Sequence, residues 1–444
     1  MTKRNALPAL VMLFPALVFY ALLSRETVNL PFLDDYTGVL GFLNAWKGIA
    51  TVRGKLLDIL LTQHNEYKLI FAQAVFAIQY LASGKVDFAV LSALGNGLVV
   101  PIFLVLGAMW RADRREIENR LLLFVPVAWV LFQFQYYSLL NWPVASLQQL
   151  AALLFSLLAI HLLCGEGRAS FWWAIASMGL AIGASGNGLF LAPIGGLMLL
   201  QFRRTRRLLG WAAAAAAMVA GYFYGYDTRQ SQAHADHSVV SSLHHLSPLY
   251  ALSFLGASIA RYDDYLPSAL LGGAVVLTFL WAARVRLYAR SPALFYSMLF
   301  ALATAAAVSG LRSDLGVSQS LVSRYRIYSN LSVILSYLFV AGELRPQSWR
   351  PRARMMAAGA VMAAAVGFNL ASTYAGFRLL RVRTDLTLEG VRRWELGEPS
   401  ITVAAGPPHE DPVIKRQRLN GNFAPVDEDL RRSIELGIYE LPKR

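Results

Sequence analysis

The sequence predicts an all-α polytopic membrane protein with about eleven transmembrane helices. Two observations carry that class. Of 444 residues, 56% are apolar and only 15% charged, whereas soluble chains hold nearer about a quarter charged. The apolar residues also lie in blocks of about 18–25, the length that crosses a hydrocarbon core of about 30 Å. A soluble multidomain enzyme and a disordered chain are both excluded.

Taken in order, the spans fall at 6–23, 88–109, 121–137, 146–163, 170–184, 188–202, 208–226, 266–283, 292–309, 327–342 and 355–372. The first carries a Lys3-Arg4 flank but no Ala-x-Ala cleavage pattern, which predicts an uncleaved helix. Basic residues gather in alternate connections: Arg111, Arg114, Arg115 and Arg120, then Arg203 to Arg207, Arg284 to Arg290, and Arg345 to Arg354. The positive-inside rule makes these cytoplasmic, with the amino terminus inside and the tail 373–444 periplasmic. The net charge of +14 is therefore a topology signal, and no nucleic-acid partner is needed to explain it. Residues 69–82 look helical and apolar, yet they are too short to cross. If they crossed, the Arg111–Arg120 cluster would fall outside. They predict an interfacial helix that leaves 24–87 as one long periplasmic loop. The single cysteine, Cys164, excludes an intrachain disulfide. The Ala- and Arg-rich composition favours a bacterial inner membrane.

The span interiors hold essentially no ionisable residue except His161, near the end of its helix. Ionisable groups within a membrane are costly and usually functional. Their absence counts against a proton-coupled transporter and moves any chemistry to the outer face. There the first loop opens with Asn29-Leu-Pro-Phe-Leu-Asp34-Asp35-Tyr36. Adjacent carboxylates repel, so they call for a metal ion, a basic partner or a shared proton; the plainer reading is a helix cap. The loop closes with Gln63-His64-Asn65-Glu66-Tyr67-Lys68. His64 and Lys68, four apart, would share a helical face and could hold a phosphate. Read alone, that segment is an ordinary charged helix start.

Three weaker groups remain. His234, Asp236, His237, His244 and His245 invite a metal, but their spacing matches no closed zinc site. Asp263-Asp264 is a second acidic pair before a span, equally a solvated helix start. Asn141-Trp142, behind Tyr136 and Tyr137, reads as an interfacial aromatic belt or as a sugar platform. The tail is long, polar and interrupted by Pro and Gly, and it reads as a recognition or lid element docked on the first loop.

This layout resembles the GT-C superfamily of membrane glycosyltransferases, which includes aminoarabinose transferases and protein O-mannosyltransferases. The matching pieces are Asp34-Asp35-Tyr36 after the first span, His64-Asn65-Glu66-Tyr67-Lys68 before an amphipathic stretch, and Trp110 to Arg115 after the second span. Ser185-Gly186-Asn187-Gly188 sits at a tight hairpin where relatives often have Lys-Gly-Pro, and Ser323-Arg324-Tyr325 opens a late span. The resemblance implies a transmembrane catalytic domain over 1–372. The activity it implies is inverting transfer of a sugar from a polyprenyl-phosphate-linked donor to a lipid, polysaccharide or protein acceptor. Asp34 or Asp35 would be the base, or a ligand of a divalent ion (Mg or Mn) together with Asp263 and Asp264. His64, Lys68, Arg324 and Arg326 would bind the donor phosphate, and Tyr36, Glu66, Trp142 and Tyr325 would contact substrate. The rivals are a flippase or transporter for a lipid-linked glycan, and a glycan polymerase or ligase of another membrane fold.

Overall fold

The computed structural model describes residues 3–113, 120–227, 246–260, 264–343, 350–397 and 424–442. The chain is a helical membrane protein. Among the described residues, six helical stretches are long and apolar enough to cross a membrane: Leu7–Glu26, Phe88–Ala112, Pro143–Cys164, Leu266–Arg284, Pro292–Leu315 and Met355–Glu395. Shorter apolar helices lie at Ile70–Ser83, Arg120–Leu131 and Gly186–Gln201.

The elements run in chain order. Helix α1 (Lys3–Glu26) is followed by a π-helical turn, Tyr36–Gly41, then α2 (Phe42–Gly48), α3 (Val52–Leu61) and α4 (Ile70–Ser83). Helices α5 (Phe88–Gly97) and α6 (Val99–Asp113) together make the second long apolar stretch. Next come α7 (Arg120–Leu131), α8 (Tyr137–Leu140), α9 (Pro143–Cys164), α10 (Arg168–Ala184), α11 (Leu191–Gln201) and α12 (Thr205–Phe223). Then follow α13 (Pro248–Leu255), α14 (Leu266–Arg284), α15 (Leu287–Arg290) and α16 (Pro292–Arg312). The last three are α17 (Arg326–Glu343), α18 (Pro351–Glu395) and α19 (Ala424–Glu435).

Local chemistry sets many of these boundaries. Asp87 caps α5 by accepting from Ala89 N and Val90 N at 2.8 and 3.1 Å, and Thr51 caps α3 through Gly54 N. Gly84, at φ +74°, takes the left-handed position that ends α4. Pro143 opens α9, where its missing N–H costs nothing. Packed between α10, α5, α6 and α16, α9 is the central post of the bundle. By contrast, Leu266, Leu270, Leu277 and Leu280 on α14 and Leu10, Leu13, Phe14 and Leu17 on α1 are exposed apolar stripes, as helices facing lipid require.

Two predicted spans are reshaped. The expected 121–137 helix stops at Leu131, and the carbonyls left at its end, Trp129 O and Phe132 O, accept from Asn369 Nδ2 at 2.7 and 2.8 Å. The last helix does not stop at 372. It continues to Glu395, 45 residues in all, about 68 Å at 1.5 Å per residue and roughly twice the hydrocarbon thickness. The expected domain boundary at 372/373 therefore lies within one rigid rod. Beyond it, residues 424–442 return to the first loop. Tyr439 hydroxyl donates to Asn29 O at 2.7 Å, Val86 N to Ile438 O at 2.7 Å, and Lys47 Nζ to Leu436 O at 2.6 Å. The tail is docked where the sequence suggested.

Candidate functional site

The acidic pair sits on a strained turn. Leu33 has φ +48°, a left-handed backbone that a branched side chain rarely adopts. The two neighbouring carboxylates on that turn differ in burial. Asp35 is fully buried. Its Oδ2 accepts from Phe32 N at 2.9 Å and its Oδ1 from Val144 N at 3.0 Å, so it clips the loop to the start of α9. Burial pushes its carboxyl well above the usual range, against the opposing pull of those two N–H groups. Asp34 is half-buried, and its carbonyl accepts from Gly38 N at 2.6 Å. The sequence treated the two acids as equivalent. With both Asp35 oxygens engaged by backbone, Asp34 carries the carboxylate left for chemistry on this turn.

Gly38, one turn after Asp34, is where the second motif arrives. A Cβ there would lie 3.5 Å from Cε1 and Nε2 of His64 and 3.1 Å from Val144. The imidazole is in ordinary van der Waals range of that position, and the tighter contact is with the Val144 side chain. His64 and Tyr67 exchange both backbone hydrogen bonds, at 2.8 and 3.0 Å, across Asn65 at φ +52°. This is a tight turn and not the helical i,i+4 face expected for His64 and Lys68. The turn is stitched to the end of α12. Gln63 Nε2 donates to Asp227 O, Asp227 N donates back to Gln63 Oε1, and Tyr226 hydroxyl donates to Glu66 O, all at 2.9 Å.

Lys68 is fully enclosed, and its Nζ donates to Tyr224 O at 2.5 Å. Burial holds its ammonium below the ordinary lysine value. It acts here as a strut, and reaching a phosphate would mean releasing that carbonyl. Arg326 is held through one edge of its guanidinium, its Nε donating to Leu321 O at 3.0 Å.

The cation that meets the loop is one the sequence reading passed over. Arg312, at the end of α16, places Nη2 3.4 Å from Glu66 Oε1 and hydrogen-bonds the Tyr67 hydroxyl. Burial pushes the Tyr67 phenol up to about 12, with Arg312 pulling the other way. Tyr325 lies close enough to Arg312 to act on its charge. Asn187 Nδ2 donates to Tyr328 hydroxyl at 2.9 Å, and a Cβ on Gly186 would stand 3.8 Å from the Tyr67 ring. The 64–68 turn, the 185–188 hairpin and the 323–325 turn therefore surround one spot, although they are far apart in the chain. Arg312 did carry a signal: on the orientation the charge rule assigns, it is an arginine at the end of a span where basic residues are disfavoured.

A second cluster backs the acidic turn. Trp142 is buried and packs edge-on against Phe32 at 5.8 Å. Arg324 lies 5.7 Å above the Trp142 ring and 5.1 Å from that of Tyr325. Arg383, from the second half of α18, stacks 3.2 Å over Phe32, lies 5.9 Å from Trp142, and donates to Ser138 O at 3.1 Å. Trp142 is thus a wall beneath the loop and not an open sugar platform. Tyr36 is buried and faces the tail. Arg383 had no sequence signal, since it read as one charge of a polar tail.

The described donors do not assemble a divalent-metal site. Asp35 is engaged by backbone, Asp264 Oδ1 caps Leu266 N at 3.2 Å, and no group of three or more His, Cys, Asp or Glu side chains converges among the described residues. Asp263 and the histidines at 234, 237, 244 and 245, with Asp236, lie outside the described residues.

No family model, curated protein or solved structure matches this chain.

Proposed function

We propose that this chain is a GT-C-type inverting glycosyltransferase of the bacterial inner membrane, using a polyprenyl-phosphate-linked sugar. On this reading the chain crosses about eleven times, with the amino terminus cytoplasmic and residues 24–87 and 373–444 periplasmic. What supports it above all is the convergence of the 64–68 turn, the 185–188 hairpin and the 323–325 turn on Arg312, beside the acidic turn 34–36. These are the segments through which the sequence resembles that superfamily.

Asp34 is the general base. It takes the proton of the acceptor hydroxyl as that oxygen bonds to the anomeric carbon from the face opposite the phosphate. The bond from carbon to phosphate oxygen breaks, and the lipid phosphate leaves with the electron pair. Its charge needs nearby donors. Arg312 and His64 supply them, Arg312 exchanging Glu66 for phosphate oxygens through its forked donors. Arg324 is the next cation inward. Lys68, tied to Tyr224 O, holds the turn in place.

The test compares the masses of envelope lipids, polysaccharides and surface proteins in a deletion strain complemented with wild type or Asp34→Asn at matched protein level. Loss of a sugar-sized mass with Asp34→Asn supports the reading and names the acceptor. Unchanged masses overturn it and favour lipid-linked glycan transport.

A further inference from the structure

The docked tail lies against the acidic turn itself. Helix α19 packs on the π-turn Tyr36–Gly41 and on α2. Asp429 sits directly over Gly41: a Cβ there would lie 2.8 Å from Asp429 Oδ2. Asn44 Nδ2 donates to Asp429 O at 3.0 Å, and Ser433 Oγ donates to Asn44 Oδ1 at 2.8 Å. Asn44, Leu430 and Ser433 are all buried. Further along, Ile438 and Tyr439 are fully buried, and the Tyr439 ring meets Phe88 edge-on at 5.4 Å. Buried polar groups that satisfy one another fix a register, which apolar contact alone does not.

The π-turn needs such a support. A π-helical turn is rare and is found mostly as a single turn at functional sites, and this one follows directly on the strained Leu33. Its own backbone sets the direction of Asp34 through the bond from Gly38 N to Asp34 O. On the α9 side Asp35 clips the turn. The opposite side is held by the tail.

We propose that the carboxy-terminal segment 424–442 is a positioning element of the outer-face site, with Asn44, Leu430 and Ser433 holding the π-turn so that Asp34 is presented to substrate. This rests on the glycosyl-transfer reading for what Asp34 does, but not for the docking. Asn44 and Ser433 touch no reacting atom; they act through the turn.

The test uses full-length protein in detergent for amide exchange, and the complemented strain for transfer. Ser433→Ala removes one buried donor, and amide exchange over 36–47 rises about tenfold while 143–164 and 292–312 keep wild-type protection. Leu430→Asp raises it about 100-fold or more and abolishes transfer at matched protein level. Leu430→Met, which keeps apolar volume, retains both protection and transfer. Should Leu430→Asp loosen the whole bundle, Ser433→Ala decides. Unchanged exchange over 36–47 in Ser433→Ala overturns the proposal. So does a loosened turn with full transfer in Leu430→Asp when Asp34→Asn has lost it. If Asp34→Asn itself transfers normally, the glycosyl-transfer reading fails, and the exchange pattern alone judges the docking.

Discussion

Replacing Asp35 should separate architecture from chemistry in the acidic pair. Its carboxylate is the sole side chain shown accepting from Phe32 N and Val144 N, at 2.9 and 3.0 Å, and it is fully buried. Asp35→Ala leaves two buried donors without an acceptor. Each such donor costs about 1–3 kcal/mol, so the pair together costs roughly 2–6 kcal/mol, with the low end applying if water enters the space left behind. Since each 1.4 kcal/mol is tenfold, local opening at the Phe32 and Val144 amides should increase at least about 30-fold. Asp34→Asn keeps its size at a half-buried position and should shift the same amides by no more than about twofold. The assay is amide exchange resolved at residues 30–40 and 143–146 in full-length protein. Equal protection in the two variants, or loosening in Asp34→Asn alone, refutes the assignment of Asp35 as the clip and Asp34 as the free carboxylate.

Other consequences can be checked with the same preparations. Arg312→Lys keeps a charge but loses the forked donors, so transfer should fall by at least about tenfold while the bundle stays folded. A double-mutant cycle of Arg312→Ala with Glu66→Ala should return a coupling of about 1 kcal/mol, modest because both side chains keep some exposure. Burial raises the Asp429 carboxyl, so the docked tail binds its proton more tightly than the free tail does. Docking is then strongest in acid and weakens as pH climbs from about 3.9, the ordinary value, through the raised one. Asp429→Asn should flatten that dependence in exchange over 36–47 after correction for intrinsic rates. Gly272→Ala would set a Cβ 1.9 Å from Leu252 O and push α13 off α14, costing about 1–3 kcal/mol or more in detergent unfolding. Gly273→Ala, which meets nothing within 4 Å, should not destabilise and should gain up to about 1 kcal/mol from helix propensity.

The sequence alone made the class legible, because apolar block length is set by bilayer thickness and helical hydrogen bonds are local. It also marked the short helix at 69–82, found at Ile70–Ser83, and the loop residues His64, Glu66 and Lys68 as a unit. The cap of α5 is equally local, since the groups Asp87 satisfies lie two and three residues away. What it left open was decided by partners distant in the chain. Asp34 and Asp35 are the same residue type side by side, and only the arrival of Val144 N makes one a clip. Arg312 and Arg383 were not singled out in the sequence, and it is folding that brings them to Glu66 and Phe32. The last helix outruns its apolar stretch, and along it Asn369 takes the carbonyls of Trp129 and Phe132 while Arg383, beyond that stretch, stacks on Phe32 of the first loop. Periodicity reports which face of a helix avoids water. It carries no information about which distant backbone groups or rings that face will meet, and the geometry of the site was fixed by those meetings.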